Sequence, residues 1–217
     1  MRCLRAYKGL SCRWRVITFL ILGMIRIGEA SNPGPSAHFD ADFTVGTFNP
    51  SGLRFKENYF QSQLSYGDIW TVAETHFFGK DVSRFRASLK ALKVPHKYCV
   101  TDQTSVKRGL VSATSWKGVG VLSKHPTRQI PTGLPQHAQD SGRALLFTTL
   151  LGDAWLTGSV VYGEPNSHQY PAYLRNNEVL LHHVVSHVCN LCVGPRFVSG
   201  DWNVQQDSLP AFGLLAQ

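Results

Sequence analysis

The places where the short apolar runs of this chain stop constrain it most. FTVGTF (43–48) is followed by Asn49, and IWTVA (69–73) by Glu74. AWLTGSVVY (154–162) ends on Tyr162 with Asn166 just beyond, and RFVSG (196–200) delivers Asp201 and Asn203. Apolar runs of this length, bounded by turn-forming residues, are the pattern of buried strands. GVGVLS (118–123) and RALLFTTL (143–150) read the same way. Between them lie stretches with helical spacing: Phe55 to Leu64, Val82 to Leu92 with apolar Val82, Phe85, Leu89 and Leu92, and a long amphipathic stretch from Tyr170 to Val188. Strands separated by helices, with some strands following one another directly, predict an α/β fold, a layered sandwich with mixed sheets.

In layered α/β folds the loops at strand ends converge on one rim, and ligands gather there. A carboxylate such as Glu74, placed directly after a buried strand, is costly unless it is paired or bound to a metal. Any single polar strand end reads more readily as a loop-capping Asn or Asp than as a site. Four strand ends with Asn, Glu, Tyr and Asp/Asn in one chain point to a site. Amides and carboxylates without thiolates favour a hard cation, Mg²⁺ with Mn²⁺ as the alternative.

The charge is unevenly placed. The chain has 217 residues and a net charge of +8, and residues 80–128 hold eleven Lys/Arg against Asp81 and Asp102 alone. A basic block beside acidic flanks suits a polyanionic partner next to a metal-binding cleft, or a solvated face with counterions. Five cysteines at irregular spacing do not look like a disulfide scaffold, and reduced thiols are the simpler reading. Cys189-x-x-Cys192 lies near His182, His183 and His187, but the spacing fits no standard zinc module.

Residues 1–35 stand apart from a folded unit expected over 36–217. Arg2, Arg5, Lys8, Arg13 and Arg15 precede the apolar run Val16–Ile25, which at ten residues is too short to span a bilayer. This leader resembles a secretory signal. Its end, Asn32-Pro-Gly-Pro35, is also similar to the 2A-type ribosome-skipping peptides, with Gly28 and Ala30 where that pattern has Asp and Glu.

Taken in order, the body's motifs resemble the endonuclease/exonuclease/phosphatase family. TFNPSGLR (47–54), VAETHF (72–77), GVGVLS (118–123), SGRALL (141–146), VYGEPN (161–166) and GDWN (200–203) each match one of its segments. The chain looks most like the endonuclease domains of non-LTR retrotransposons and abasic-site endonucleases. VYGEPN carries one residue more between Tyr162 and Pro165 than the family loop, to be absorbed as a bulge if Tyr162 is to keep its place.

The resemblance implies a Mg²⁺-dependent phosphodiester hydrolase acting on DNA. Glu74 would ligate the metal and Asn49 would help hold its network. Asp201 would orient or deprotonate the attacking water. Asn203 and Tyr162 would bind the scissile phosphate, and residues 80–128 would contact DNA phosphates. The family's later segments, including a closing Ser-Asp-His, have no counterpart in the sequence, and Asp207 comes too early to serve. The expectation is therefore a partial domain, weak or inactive by itself, in a nuclear setting. The alternatives are a secreted phosphatase or lipid phosphodiesterase, consistent with a true signal peptide, and a nucleic-acid-binding relic without catalysis.

Overall fold

The computed structural model describes residues 43–53, 56–63, 67–77, 80–102, 118–131, 142–191 and 195–203. The leader, Phe55, Leu64, Lys107, Arg108, Lys117, Cys192 and Asp207 lie outside those residues. The elements run β1 (Val45–Phe48), α1 (Glu57–Gln63), β2 (Ile69–Ala73), α2 (Asp81–Ala91), β3 (Tyr98–Asp102), β4 (Val119–Ser123), β5 (Thr127–Gln129), β6 (Ala144–Leu151), β7 (Ala154–Tyr162), α3 (Pro171–Leu191) and β8 (Arg196–Asp201).

The strands form two four-stranded sheets, ordered β1-β2-β4-β3 and β5-β6-β7-β8. Each sheet is mixed. β1 and β2 run parallel and β7 and β8 run parallel, while the remaining pairs are antiparallel. The parallel pairs need crossovers, which α1 and α3 supply. β6 and β7 need only the turn at Gly152-Asp153, where Gly152 takes φ 59°.

Side chains alternate across each strand and divide the apolar residues among three cores. Ile69, Ala73, Val119 and Val121 from the first sheet meet Leu145, Phe147, Val160, Tyr162 and Phe197 from the second, which glues the sheets face to face. On the outer side of the first sheet, Val72 and Leu122 pack on Phe60 of α1 and on Val82, Phe85 and Leu89 of α2. On the outer side of the second, Leu146, Val161 and Val198 pack on Leu181, Val184 and Val188 of α3. The result is the layered α/β sandwich expected from the sequence. Burying a ring such as Phe147 contributes about 2–3 kcal/mol.

The polar seam between the sheets is also closed. Ser199 Oγ donates to Thr71 Oγ1 across the interface at 2.8 Å, and Thr71 Oγ1 donates to Gly46 O at 3.3 Å. Two strands, β3 and β5, have no clear apolar run and were not expected. β3 is an edge strand, and β5 is a three-residue polar strip held by its ladder to β6. Among the described residues, no helix is long and apolar enough to cross a membrane.

Candidate active site

Every residue singled out at a strand end lies at the C-terminal end of β1, β2, β7 or β8. Two parallel pairs, one from each sheet, therefore deliver their polar residues to one rim. The loop after β1 is fixed to the loop after β2 by backbone hydrogen bonds, Gly52 N to Glu74 O at 2.8 Å and Leu53 N to Thr75 O at 2.9 Å. On the other sheet the β7–β8 register runs unbroken to Tyr162 opposite Asp201, and Gly163 N then donates to Asp201 O at 2.8 Å. The ladder therefore holds no bulge up to Tyr162, and the residues of VYGEPN beyond it follow after the strand.

Two glycines make the close approach of β7 and β8 feasible. A Cβ on Gly200 (φ 151°) would lie 2.0 Å from Val161 O, and one on Gly163 would lie 2.2 Å from Trp202 O. Neither position has room for any larger residue.

The five candidate side chains form two hydrogen-bonded groups, Glu74–Tyr162 and Asn49–Asp201–Asn203, joined through the backbone at Gly163. The buried Tyr162 hydroxyl donates to the Glu74 carboxylate. Gly163 O, one residue on, accepts Asn203 Nδ2 at 3.0 Å. Asn203 N donates to Asp201 Oδ1 at 3.1 Å, and Asn49 Nδ2 donates to Asp201 Oδ2 at 2.8 Å. Asn49 Oδ1 in turn accepts Ser51 N at 2.8 Å. Glu74 and Asn49 come from the first sheet, and Tyr162, Asp201 and Asn203 from the second. Burial, above all, and then the Glu74 carboxylate push the Tyr162 phenol well above its ordinary range, so it stays a neutral donor.

The backbone around the site is strained. Ser51, Glu74, His76, Asn166 and Asn203 all adopt φ between 50° and 60°, the left-handed region that costs an L-residue free energy. Such outliers persist only where surrounding structure fixes them.

Three further residues of the rim, Arg143, Asn177 and His76, were not singled out from the sequence. Arg143, buried just before β6, donates from Nη1 to Gly163 O at 2.8 Å and to Tyr162 O at 3.2 Å, and from Nη2 to Glu164 Oε2 at 2.5 Å. Its guanidinium carbon also lies 5.2 Å from the centre of the Tyr162 ring. Burial lowers its pKa, and Glu164 is the chief opposing influence. Asn177, buried on α3, accepts Glu164 N at 2.5 Å and donates to Trp202 O at 3.2 Å, tying both loops to the helix. His76 Nε2 lies 3.8 Å from Glu74 Oε2. A signal for Asn177 was present in the sequence, as a polar residue within the apolar stripe of Leu174, Leu181, Val184 and Val188.

The donor set at the rim is all oxygen apart from His76. Both oxygens of Asp201 already accept N–H groups, and Asn49 Oδ1 accepts one. Glu74 is the carboxylate best placed to meet a cation. One carboxylate with water and substrate in the remaining positions is how Mg²⁺ is commonly held. Among the described residues, no group of three or more His, Cys, Asp and Glu is arranged to hold a metal, at this rim or along the histidines of α3. Of the basic block, Lys80, Arg84, Arg86, Lys90, Lys93 and Lys97 are exposed on α2 and the loops at its two ends, while Lys124 pairs with Asp68 at 3.2 Å and Arg128 stacks on Trp155 at 4.8 Å.

Two mixed sheets packed face to face between helices, with a polar rim at the ends of both parallel pairs, define the fold class of the endonuclease/exonuclease/phosphatase proteins. Solved structures place the chain there. It is similar to an AP endonuclease from Archaeoglobus fulgidus (16% identity, TM-score 0.52, covering 79% of this chain and 69% of that one). It is similar to an endonuclease/exonuclease/phosphatase protein from Beutenbergia cavernae (16%, 0.53, 79% and 50%) and to a sphingomyelinase C from Streptomyces griseocarneus (13%, 0.52, 78% and 68%). No family model and no curated protein matches the sequence.

Proposed function

We propose that the chain carries the phosphodiester-hydrolysing site of a Mg²⁺-dependent DNA endonuclease of the retrotransposon kind. The connected network Glu74–Tyr162–Gly163–Asn203–Asp201–Asn49 carries this reading. It gathers the residue types that hydrolysis requires at one rim, and the motifs that supply them match the family's in order. Glu74 would hold the metal, which when bound offsets negative charge developing on the phosphate. Asp201, oriented by Asn49 and by Asn203 N, is the base that positions and deprotonates water. The Asn203 amide hydrogen-bonds the phosphate oxygens, and the Tyr162 hydroxyl does so once its one proton turns from Glu74 to the phosphate. The exposed lysines and arginines of α2 and the loops at its ends hold the flanking phosphates.

Supercoiled plasmid supplies the test. Nicking by the full chain at stoichiometric protein, dependent on Mg²⁺ and lost in Glu74→Ala, is the expected result. Nicking no greater than that of Glu74→Ala would overturn the proposal. Release of phosphocholine from sphingomyelin without DNA nicking would instead favour the lipid phosphodiesterase.

A further inference from the structure

α3 begins at the rim, because it carries the chain from the end of β7 back to the start of β8. An aromatic pair stands at its start, Tyr170 just before the helix and Tyr173 in its first turn. Tyr170 is 52% exposed and Tyr173 40% exposed, with ring centroids 5.2 Å apart and ring planes at 52°. Tilted rings leave faces open to solvent, and two adjacent open tyrosines form an apolar step on a surface that otherwise has little reason to keep one.

The step is tethered close to the proposed reaction centre. Ser167, buried in the same loop, donates from Oγ to Asn203 O at 2.6 Å. Three residues of chain span at most about 11 Å, so Tyr170 Cα lies within that distance of Ser167 Cα. With the hydrogen bond and the serine side chain added, Tyr170 Cα lies within about 16 Å of Asn203 O, a reach of about five nucleotides at 3.4 Å per base.

Two classes of ligand use exposed tyrosines beside a phosphodiester site: nucleobases and lipid interfaces. The surroundings decide between them here. Between Asn166 and Asn176 the other exposed residues are the polar Asn166, His168, Gln169, Arg175 and Asn176 and the small apolar Pro171 and Ala172, while Leu174 is half-buried against the α3 core. A membrane-inserting loop would carry aliphatic or tryptophan side chains beside its tyrosines. A polar rim with two flat faces instead suits a planar base whose edge stays hydrated.

We propose that Tyr170 and Tyr173 form a stacking step for an unpaired base flanking the scissile phosphate, so that the site takes strands locally opened or distorted in preference to a continuous duplex. This rests on the phosphodiesterase reading above, and its test does not require turnover. The full chain carrying Glu74→Ala is titrated, in EDTA, with a 12-nucleotide single strand containing 2-aminopurine and with the matching duplex. The expected result is quenching of the 2-aminopurine and tighter binding of the single strand. Tyr170→Ser/Tyr173→Ser should weaken that binding by about fivefold or more and remove the quench, while Tyr170→Phe/Tyr173→Phe keeps both. The salt dependence should be unchanged in all forms, because the phosphate contacts remain.

Equal binding by the serine and parent forms would overturn the stacking step alone. Equal binding of duplex and single strand by the parent form would overturn the preference for opened strands. Failure of the parent form to bind either DNA would overturn the step together with the DNA reading. Loss of binding to sphingomyelin vesicles in the serine form, with DNA binding unchanged, would assign the tyrosines to a lipid surface and overturn the proposal.

Discussion

Asp201 is buried and accepts two hydrogen bonds, from Asn49 and from the backbone of Asn203. Removing the Asn49 amide leaves one carboxylate oxygen without that donor in a poorly hydrated place. Asn49→Ala should therefore cost about 1–3 kcal/mol of stability, read by urea denaturation, and should slow nicking as Asp201 loses its orientation. Arg143 poses the same question with a charge. Arg143→Met strips donors from Gly163 O and Tyr162 O and leaves Glu164 without its cation. A loss on the order of 2 kcal/mol is expected, since Glu164 is partly exposed and water recovers some of the deficit. Arg143→Lys retains the charge but not the planar fork, so it should recover stability better than nicking.

Among the elements, α3 does more than cover a sheet. Asn177 reaches from it to both loops of the second sheet's rim, so Asn177→Leu should leave Glu164 N and Trp202 O unsatisfied. A Tm lower by roughly 2–9 °C is expected by calorimetry, together with weaker binding of a phosphodiester oligonucleotide. The turn between α2 and β3 contributes differently. His96 is buried, its Nε2–H donates to Gly67 O at 2.9 Å, and burial lowers its pKa from 6.5 to about 4. The unfolded chain therefore takes up a proton on His96 between pH 6.5 and 4 that the folded chain does not. Stability from this group is intact above pH 6.5 and declines as pH falls to 4, by up to about 3 kcal/mol. Denaturation midpoints across that window should fall in the parent and flatten in His96→Gln.

The same elements show how far a sequence discloses its structure. The inner strands were legible because burial on both faces leaves a continuous apolar signature, as in β2, β6 and β7. The edges were not. β5 is Thr-Arg-Gln and exists because β6 offers it a ladder, and β3 buries little besides Cys99. At the site, residue types at strand ends were visible, but their partnerships were not. Asn49 and Asp201 are 152 positions apart, and their hydrogen bond follows from how the sheets stack. Arg143 lay within a matched motif, yet nothing in its neighbours announced three separate acceptors.

At the scale of the whole molecule, the proposed reaction centre is divided between two sheets that the chain completes one after the other. β1 to β4 close the first sheet by Ser123, and β5 opens the second at Thr127. The short link Lys124-His125-Pro126 is the only stretch of chain joining them. Asn49 and Glu74 lie before that link, and Tyr162, Asp201 and Asn203 after it. A polypeptide divided there would yield two pieces, each holding an incomplete constellation and one bare face of the inner core. Recovered nicking on mixing would then report docking of the pieces, so the layout that builds the site also makes the molecule a natural two-part complementation sensor.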